Sequence, residues 1–468
     1  MVPLKLEATE LVELLKMNKA IMVLPFITLA SLLMVSACIT TPPQNALIIE
    51  EEHFLAAKQP EVSTLSIKAA KQPEIDCMGA QPGDEIYMLY QWSGQEEQRL
   101  LEILQPLSDA CGIMLVPEST RDQNMLDTRV SEGNPPDVAF WNAAQLVQFE
   151  DLLIPMTDLG AHADNYRDFF KDPGIVNGNW LGLPVKVDVK SIIWYSPDVF
   201  RIKGYEVPST WDEMTALVEQ MASNGDVPWS MGFESDDATG WAGTDFIQDI
   251  LLVMQGPDFV NGLISEAVPY NHPGVADAYA IYGAWAKDAR YTVDGANGTV
   301  STNFVDAIYR VFEDPPAAMM VKQSGFASGE IETKFDDLAY GTGYDFFPVP
   351  GLQGIQGGVD WMMAFSDSPA VHSLVAYLSS DLGGINWARA GFDNTPNLAG
   401  TGKYTREDLN KRGDMLAMTT GFTPDIGDNI LGFGPAEFDG ITDFIKGEEL
   451  QVVLNRLAAA QANAFNQE

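Results

Sequence analysis

The chain has 468 residues, 46% of them hydrophobic, 10% aromatic and 20% charged. That is enough for a large core and two domains, and too apolar for disorder over most of its length. Against 27 Lys and Arg stand 66 Asp and Glu, a formal charge of -39, which repels phosphate backbones and anionic headgroups and so excludes nucleic acid and a basic peripheral membrane site. The plainest source of such a charge is the solvated acidic surface of an exported protein.

From Met17 the chain carries Lys19, an apolar run from Ile21 to Val35 and then Ser36-Ala37-Cys38. A short positive start, a short apolar run and small residues before a cysteine resemble a lipoprotein signal peptide. The run contains Pro25 and is too short for a comfortable membrane-spanning helix. In this reading Val35-Ser36-Ala37-Cys38 is a lipobox, cleavage falls before Cys38, and several acyl chains on that residue give a stable anchor. A short anchor helix that happens to end in Cys is the alternative. The preceding Glu7, Glu10 and Glu13 do not suit a signal start, so Met17 is a candidate first residue, and 1–37 is excluded from the fold. Cys77 and Cys111 remain as an even pair in a compartment where disulfides persist. They are expected to bond, closing a loop worth about 3–4 kcal/mol, with two separate buried thiols as the alternative.

Residues 38–83 read as a lipidated polar tether, with Pro42, Pro43, Glu50-Glu51-Glu52 and the pentapeptide of Ala57–Glu61 repeated at Ala70–Glu74. A strand is expected over Glu85–Trp92. The Ser93-Gly-Gln-Glu96 spacing then predicts a capping box opening a helix with Leu100, Leu101, Ile103, Leu104 and Leu107 inward. Strands follow at Ile113–Val116 and Asp137–Trp141, a β-α-β-α-β order that implies a parallel sheet with helices on both faces. Leu183–Asp188 and Lys190–Tyr195 are strand-like pieces in tandem, without a turn long enough to reverse the chain, and suggest a crossing into a second lobe. Thr210-Trp-Asp-Glu213 is another capping box. Beyond it the pattern gives a strand at Met231–Phe233, helices at Thr244–Met254 and Gly274–Lys287, and a strand at Ala317–Val321. An extended crossing at Tyr344–Gly351, a strand at Val359–Phe365 and a helix from Pro369 come next. The rest reads as helical, apart from an unassigned stretch over Gly391–Gly402.

Seven segments in this order resemble the extracellular solute-binding proteins of sugar ABC transporters, the maltose-binding-protein-like group and within it the α-glucoside-binding type. They are Leu89-Tyr-Gln-Trp-Ser-Gly94, Pro136-Asp-Val-Ala-Phe-Trp141, Val189-Lys-Ser-Ile-Ile-Trp-Tyr195, Pro208-Ser-Thr-Trp-Asp-Glu213, Gly240-Trp-Ala-Gly-Thr-Asp-Phe-Ile-Gln-Asp249, Phe347-Pro-Val-Pro-Gly351 and Gly357-Gly-Val-Asp-Trp361. The resemblance implies an α/β, two-lobed periplasmic-binding-protein-like fold of type II, with three hinge crossings and discontinuous lobes closing on a ligand. The crossings are expected near Lys190, Pro348 and Ser366, giving a first lobe of 84–190 and 347–366 and a second of 191–346 and 367–468.

A neutral sugar presents hydroxyls on its edges and C–H patches on its faces, so its receptor needs polar side chains and aromatic rings at converging strand ends. Trp92 and Trp141 end strands, with Ser93, Gln95, Glu96 and Asn142 as polar companions. Asp188 stands where the family places an acidic ligand group, and Lys190 follows on the same face. Trp241, Thr244 and Asp245 at a helix start, Phe326 where maltose binders carry a stacking Trp, and Asp360 with Trp361 complete the expected substrate contacts. Core packing for the tryptophans, a hinge salt bridge for Asp188 and Lys190, and helix capping for Thr244 are the competing roles.

The four histidines are scattered, and no HExxH, CxxC, Gly-x-Ser-x-Gly or full P-loop spacing occurs. Neither an enzyme nor a cofactor or metal is expected. The sequence therefore points to a monomeric, extracytoplasmic, membrane-anchored lipoprotein that binds a neutral di- or oligosaccharide and hands it to ABC permease subunits. A surface glycan-binding adhesion or signalling lipoprotein is the alternative reading, and a glycosidase is a weaker one.

Overall fold

The computed structural model describes residues 75–465 except 121, 123 and 431, and for Gln95 only the backbone. The export signal, Cys38 and most of the expected tether lie outside the described residues. The chain order begins with β1 (Glu85–Tyr90), α1 (Gln95–Cys111), β2 (Met114–Ser119) and β3 (Val138–Trp141). Leu100, Ile103, Leu104 and Leu107 are fully buried on one face of α1, as their helical spacing requires. The helix start differs from the expected capping box. Its N-cap is Gly94 at φ 61°, a left-handed backbone that glycine adopts without strain and Ser93 would not.

Next come β4 (Leu183–Val189), β5 (Ile192–Tyr195), α2 (Trp211–Ser223), α3 (Trp241–Met254), α4 (Pro273–Ala286) and α5 (Phe304–Phe312). At the start of α2 the Thr210 hydroxyl accepts from the Glu213 amide while the Glu213 carboxylate accepts from the Thr210 amide, each at 3.2 Å, which is the expected capping box. Met231–Phe233 forms no strand. The segment makes isolated bridges at Trp229 and Glu234 instead, around Gly232, which has no side chain to offer a cross-strand pair. Then follow β6 (Met320–Lys322), β7 (Asp345–Pro348), β8 (Ile355–Ala364), α6 (Pro369–Ser379), α7 (Asp381–Ala390), α8 (Glu407–Met418), β9 (Phe422–Pro424), α9 (Gly434–Lys446) and α10 (Leu450–Phe465).

The largest sheet has the order β9-β8-β3-β1-β2, with β4 on the other side of β8; a second has the order β6-β5-β7, and Ile175–Val176 and Asn179–Trp180 form a small hairpin. In the first, β1 pairs in parallel with β2 and β3, while β8 runs antiparallel to both β3 and β4. β4 and β5 are consecutive but sit in different sheets, so the chain changes lobes at Lys190 and Ser191. It changes back between β7 and β8. These two crossings are stitched together. The Lys190 amide donates to the Gln356 carbonyl at 3.0 Å and the Val349 amide to the Ser191 carbonyl at 3.1 Å. The Gln356 amide donates to the Ser191 hydroxyl at 2.8 Å.

The crossing expected near Ser366 lies elsewhere. Ala370, Val371, Leu374, Val375 and Tyr377 of α6, with Trp387 beyond them, share one apolar core with Ile86, Leu100, Leu104 and Val138 of the first lobe. The chain therefore stays on the first sheet after Ser366 and leaves it only after β9, where Ile426 and the faces of α9 and α10 join the core of the second lobe. A further apolar cluster lies beneath the crossings and mixes Val187 and Val189 of β4 with Trp194 of β5, Phe346 of β7, Ile355 of β8 and Phe422 of β9. A disulfide joins Cys77 to Cys111.

Candidate functional site

On β4 the side chains of Val185, Val187 and Val189 are buried while Lys186, Asp188 and Lys190 alternate with them, so the two-residue strand period sets three charges along one face. That face borders a cavity of about 230 Å³ where the crossings meet, lined among others by Asn142, Phe169, Asp360, Trp361, Phe422 and Asp428. Of the expected contact residues, Asn142, Asp188, Lys190, Asp360 and Trp361 border this cavity. A larger hollow of about 890 Å³ opens beside Ile75 and Asp76 and is bordered by none of the expected contact residues.

The charges at this junction are mostly paired. Lys186 binds Asp360 at 3.0 Å and lies 3.9 Å from Asp393, which Arg412 approaches to 3.4 Å. Burial works against the charge on Lys186, yet Asp360, Asp393 and Asp188 outweigh it and raise its pKa. Burial pushes Asp393 up to about 6 in spite of Arg412 and Lys186. Asp188 accepts the Gly325 amide at 3.1 Å. Gly325 admits no side chain, because an added Cβ would stand 1.5 Å from the Arg412 guanidinium.

Lys190 reaches Asp245 of α3 at 3.2 Å and Asp425 at 3.0 Å, and the Gln356 amide donates to the same two carboxylates at 3.0 and 3.2 Å. Behind them the deeply buried Lys322 lies 3.8 Å from Asp245 and 3.3 Å from Asp249. Burial pushes Asp245 up to about 8, opposed by Lys190 and Lys322. For Asp425 burial is again the largest influence, but Lys190 and the hydrogen bonds from Asp245 and Lys190 overcome it and hold the group well below the usual carboxylate range. Asp428 is pushed up to about 6, chiefly by the neighbouring charge of Asp425.

The expected aromatic contacts divide. Trp92 is 6% exposed, its ring 4.8 Å from Phe392 and 5.2 Å from Phe140, inside the first-lobe core. Its neighbour Ser93 is exposed and Glu96 half-buried, and neither borders the cavity. Trp141 is 1% exposed and paired across the sheet with Trp361. Trp361 is buried too but borders the cavity, and its ring occupies space left by Gly174 and Gly182, where added Cβ atoms would come within 2.6 and 2.9 Å of it.

In the second lobe Trp241, Phe304 and Phe326 form an aromatic trio, with centroids 5.3 to 6.3 Å apart. Phe326 is its exposed member, and the Lys190 ammonium lies 5.9 Å from the Trp241 ring centre. Thr244 does not cap α3. It lies inside the helix and its hydroxyl donates to the Trp241 carbonyl at 2.9 Å. The sequence reading missed Lys186, Gln356, Asp393, Arg412, Asp425, Asp428 and Phe304. Only Lys186 had a signal, its two-residue spacing from Asp188. Among the described residues no group of His, Cys, Asp and Glu is arranged to hold a metal ion.

Residues 116–383 match the family described as bacterial extracellular solute-binding protein. The osmoprotective compounds-binding protein GgtB of Synechocystis sp. is 28% identical over 415 residues, covering 85% of this chain and 96% of its own length. The alpha-glucosides-binding periplasmic protein AglE of Rhizobium meliloti is 28% identical over 392 residues, covering 78% of this chain and 84% of its own. The solved structure of the bacterial solute receptor AcbH superposes with a TM-score of 0.66 at 20% identity, over 84% of this chain and 98% of that one. At that identity the likeness speaks for the fold, the two-lobed α/β architecture of type II.

Proposed function

This chain belongs to the bacterial extracellular solute-binding proteins, and from that membership we propose that it binds a neutral α-glucoside of about disaccharide size between its lobes and delivers it to an ABC permease. The observation that carries the reading is the composition of the cavity at the crossings. Amides of Asn142 and Asn429 and carboxylates of Asp188 and Asp360 stand beside the rings of Phe169 and Trp361, the mixture that hydroxyl edges and C–H faces require. A volume of about 230 Å³ favours a small ligand over a long chain, since pockets for drug-sized molecules run to roughly 300–1,000 Å³. The relative named for alpha-glucosides supports this ligand class.

The Lys-to-Asp pairing supports an uncharged ligand, because Lys186 and Lys190 already hold carboxylates and a bound anion would have to compete for them. The anchor in this reading is Cys38, whose replacement by Ser should release the protein from the membrane fraction. Isothermal titration of the soluble protein against maltose, trehalose and sucrose tests the ligand class. Saturable binding of at least one is expected, and a folded protein that binds none of them overturns the reading.

A further inference from the structure

Four carboxylates border the cavity at the crossings, and three of them are already occupied. Asp188 takes the Gly325 amide at 3.1 Å, Asp360 takes the Lys186 ammonium at 3.0 Å, and Asp425 takes Lys190 and Gln356 at 3.0 and 3.2 Å. Asp428 differs. It stands one helical turn after Asp425, and its own amide donates to the Asp425 carboxylate at 3.2 Å, which fixes the backbone of the turn. Among the described residues its side chain makes no hydrogen bond or ion pair, it is exposed, and it borders the cavity beside Asn429.

We propose that Asp428 is a specificity-determining residue whose carboxylate receives two adjacent hydroxyls of the bound sugar, while Asp425 beside it serves to hold the crossings together. The inference rests on the sugar-binding reading above and assigns a role within it. A carboxylate offers about four lone-pair sites and no donor, so it suits a ligand edge made of hydroxyl donors and repels one carrying a carboxylate or phosphate. Its backbone is held by Asp425, and Asp425 by Lys190 and Gln356, so the free group is preorganised by the bonded ones. An Asn at this position would keep the shape, lose the charge and turn one acceptor into a donor.

Titrations of wild type, D428N and D428A with maltose, trehalose and sucrose test the assignment, with melting temperatures measured alongside. For whichever sugar the wild type binds, D428N and D428A should each lose affinity by about tenfold to a hundredfold, as expected for hydrogen bonds to a charged group, while melting temperatures stay near wild type. The exposed D414N serves as a control for net charge and should bind as wild type does. A wild type that binds a sugar and variants that bind it equally well overturn the role of Asp428 and leave the sugar reading standing. A folded wild type that binds none of the three overturns both.

Discussion

At the scale of single residues, the buried pair of Asp245 and Asp425 makes a statement about pH. Asp245 is raised to about 8 by burial, whereas an Asp in the unfolded chain titrates near 4. Between those values the folded state holds a proton that the unfolded state lacks, so this group's contribution to stability is present in acid and is lost as pH rises through that window. Asp425, held low, acts in the opposite sense but only below the ordinary carboxylate range. Asp245→Asn mimics the protonated form. Its melting temperature should fall less steeply than wild type between pH 5 and 8, and an unchanged slope would show that Asp245 does not carry the proton. None of this was readable in the sequence, where Asp245 is one of 66 acids; its value comes from Lys190 and Asp425, 55 and 180 positions away. Lys186, Asp188 and Lys190 were more legible, because a strand's alternation is local. The strand-ending Trp92 was ambiguous for the opposite reason. Trp387 and Phe392, which enclose its ring, belong to a helix and the loop just after it, nearly 300 residues later.

At the scale of elements, α3 is the clamp of the hinge. Asp245, Gln248 and Asp249 recur at helical spacing and are all buried. Asp245 holds Lys190 and Gln356, while the Ser191 hydroxyl donates to Asp249. Gln248 donates to the Pro424 carbonyl at 2.8 Å and accepts from the Ile426 amide at 3.0 Å. One helix thus bonds to all the crossings from its own lobe. Asp249→Ala would strand Lys322 in the interior and should destabilise the protein by about 3–5 kcal/mol, read from urea midpoints; a change below 1 kcal/mol would mean the pair is not a buried contact. The segment Gly240–Asp249 was legible as important, but its role at the pivot was not, because the partners lie on other segments. The third crossing shows the same limit. Pro369 after Ser368 signals a helix start whichever sheet the helix covers, and an amphipathic face does not record which apolar surface it will meet.

At the scale of the molecule, the disulfide pins the chain just before β1 to the end of α1 across a separation of 34 residues. Loop entropy assigns it about 4 kcal/mol. Cys77→Ser with Cys111→Ser should lower the urea midpoint of the first lobe correspondingly, while a midpoint equal to that of the oxidised wild type would show that the bond is dispensable. Order and type of the main helices and strands, and the first two crossings, were legible in the sequence because each has a local pattern.

The placement of β8 reaches further. It lies between β3 and β4 and completes the first sheet, yet it begins only at Ile355, and the second lobe waits still longer for α9 and α10. Neither lobe has a finished core until three-quarters or more of the chain is available. The same topology that joins the lobes therefore makes each core depend on the last quarter of the chain, so that a truncation in that quarter removes packing from both.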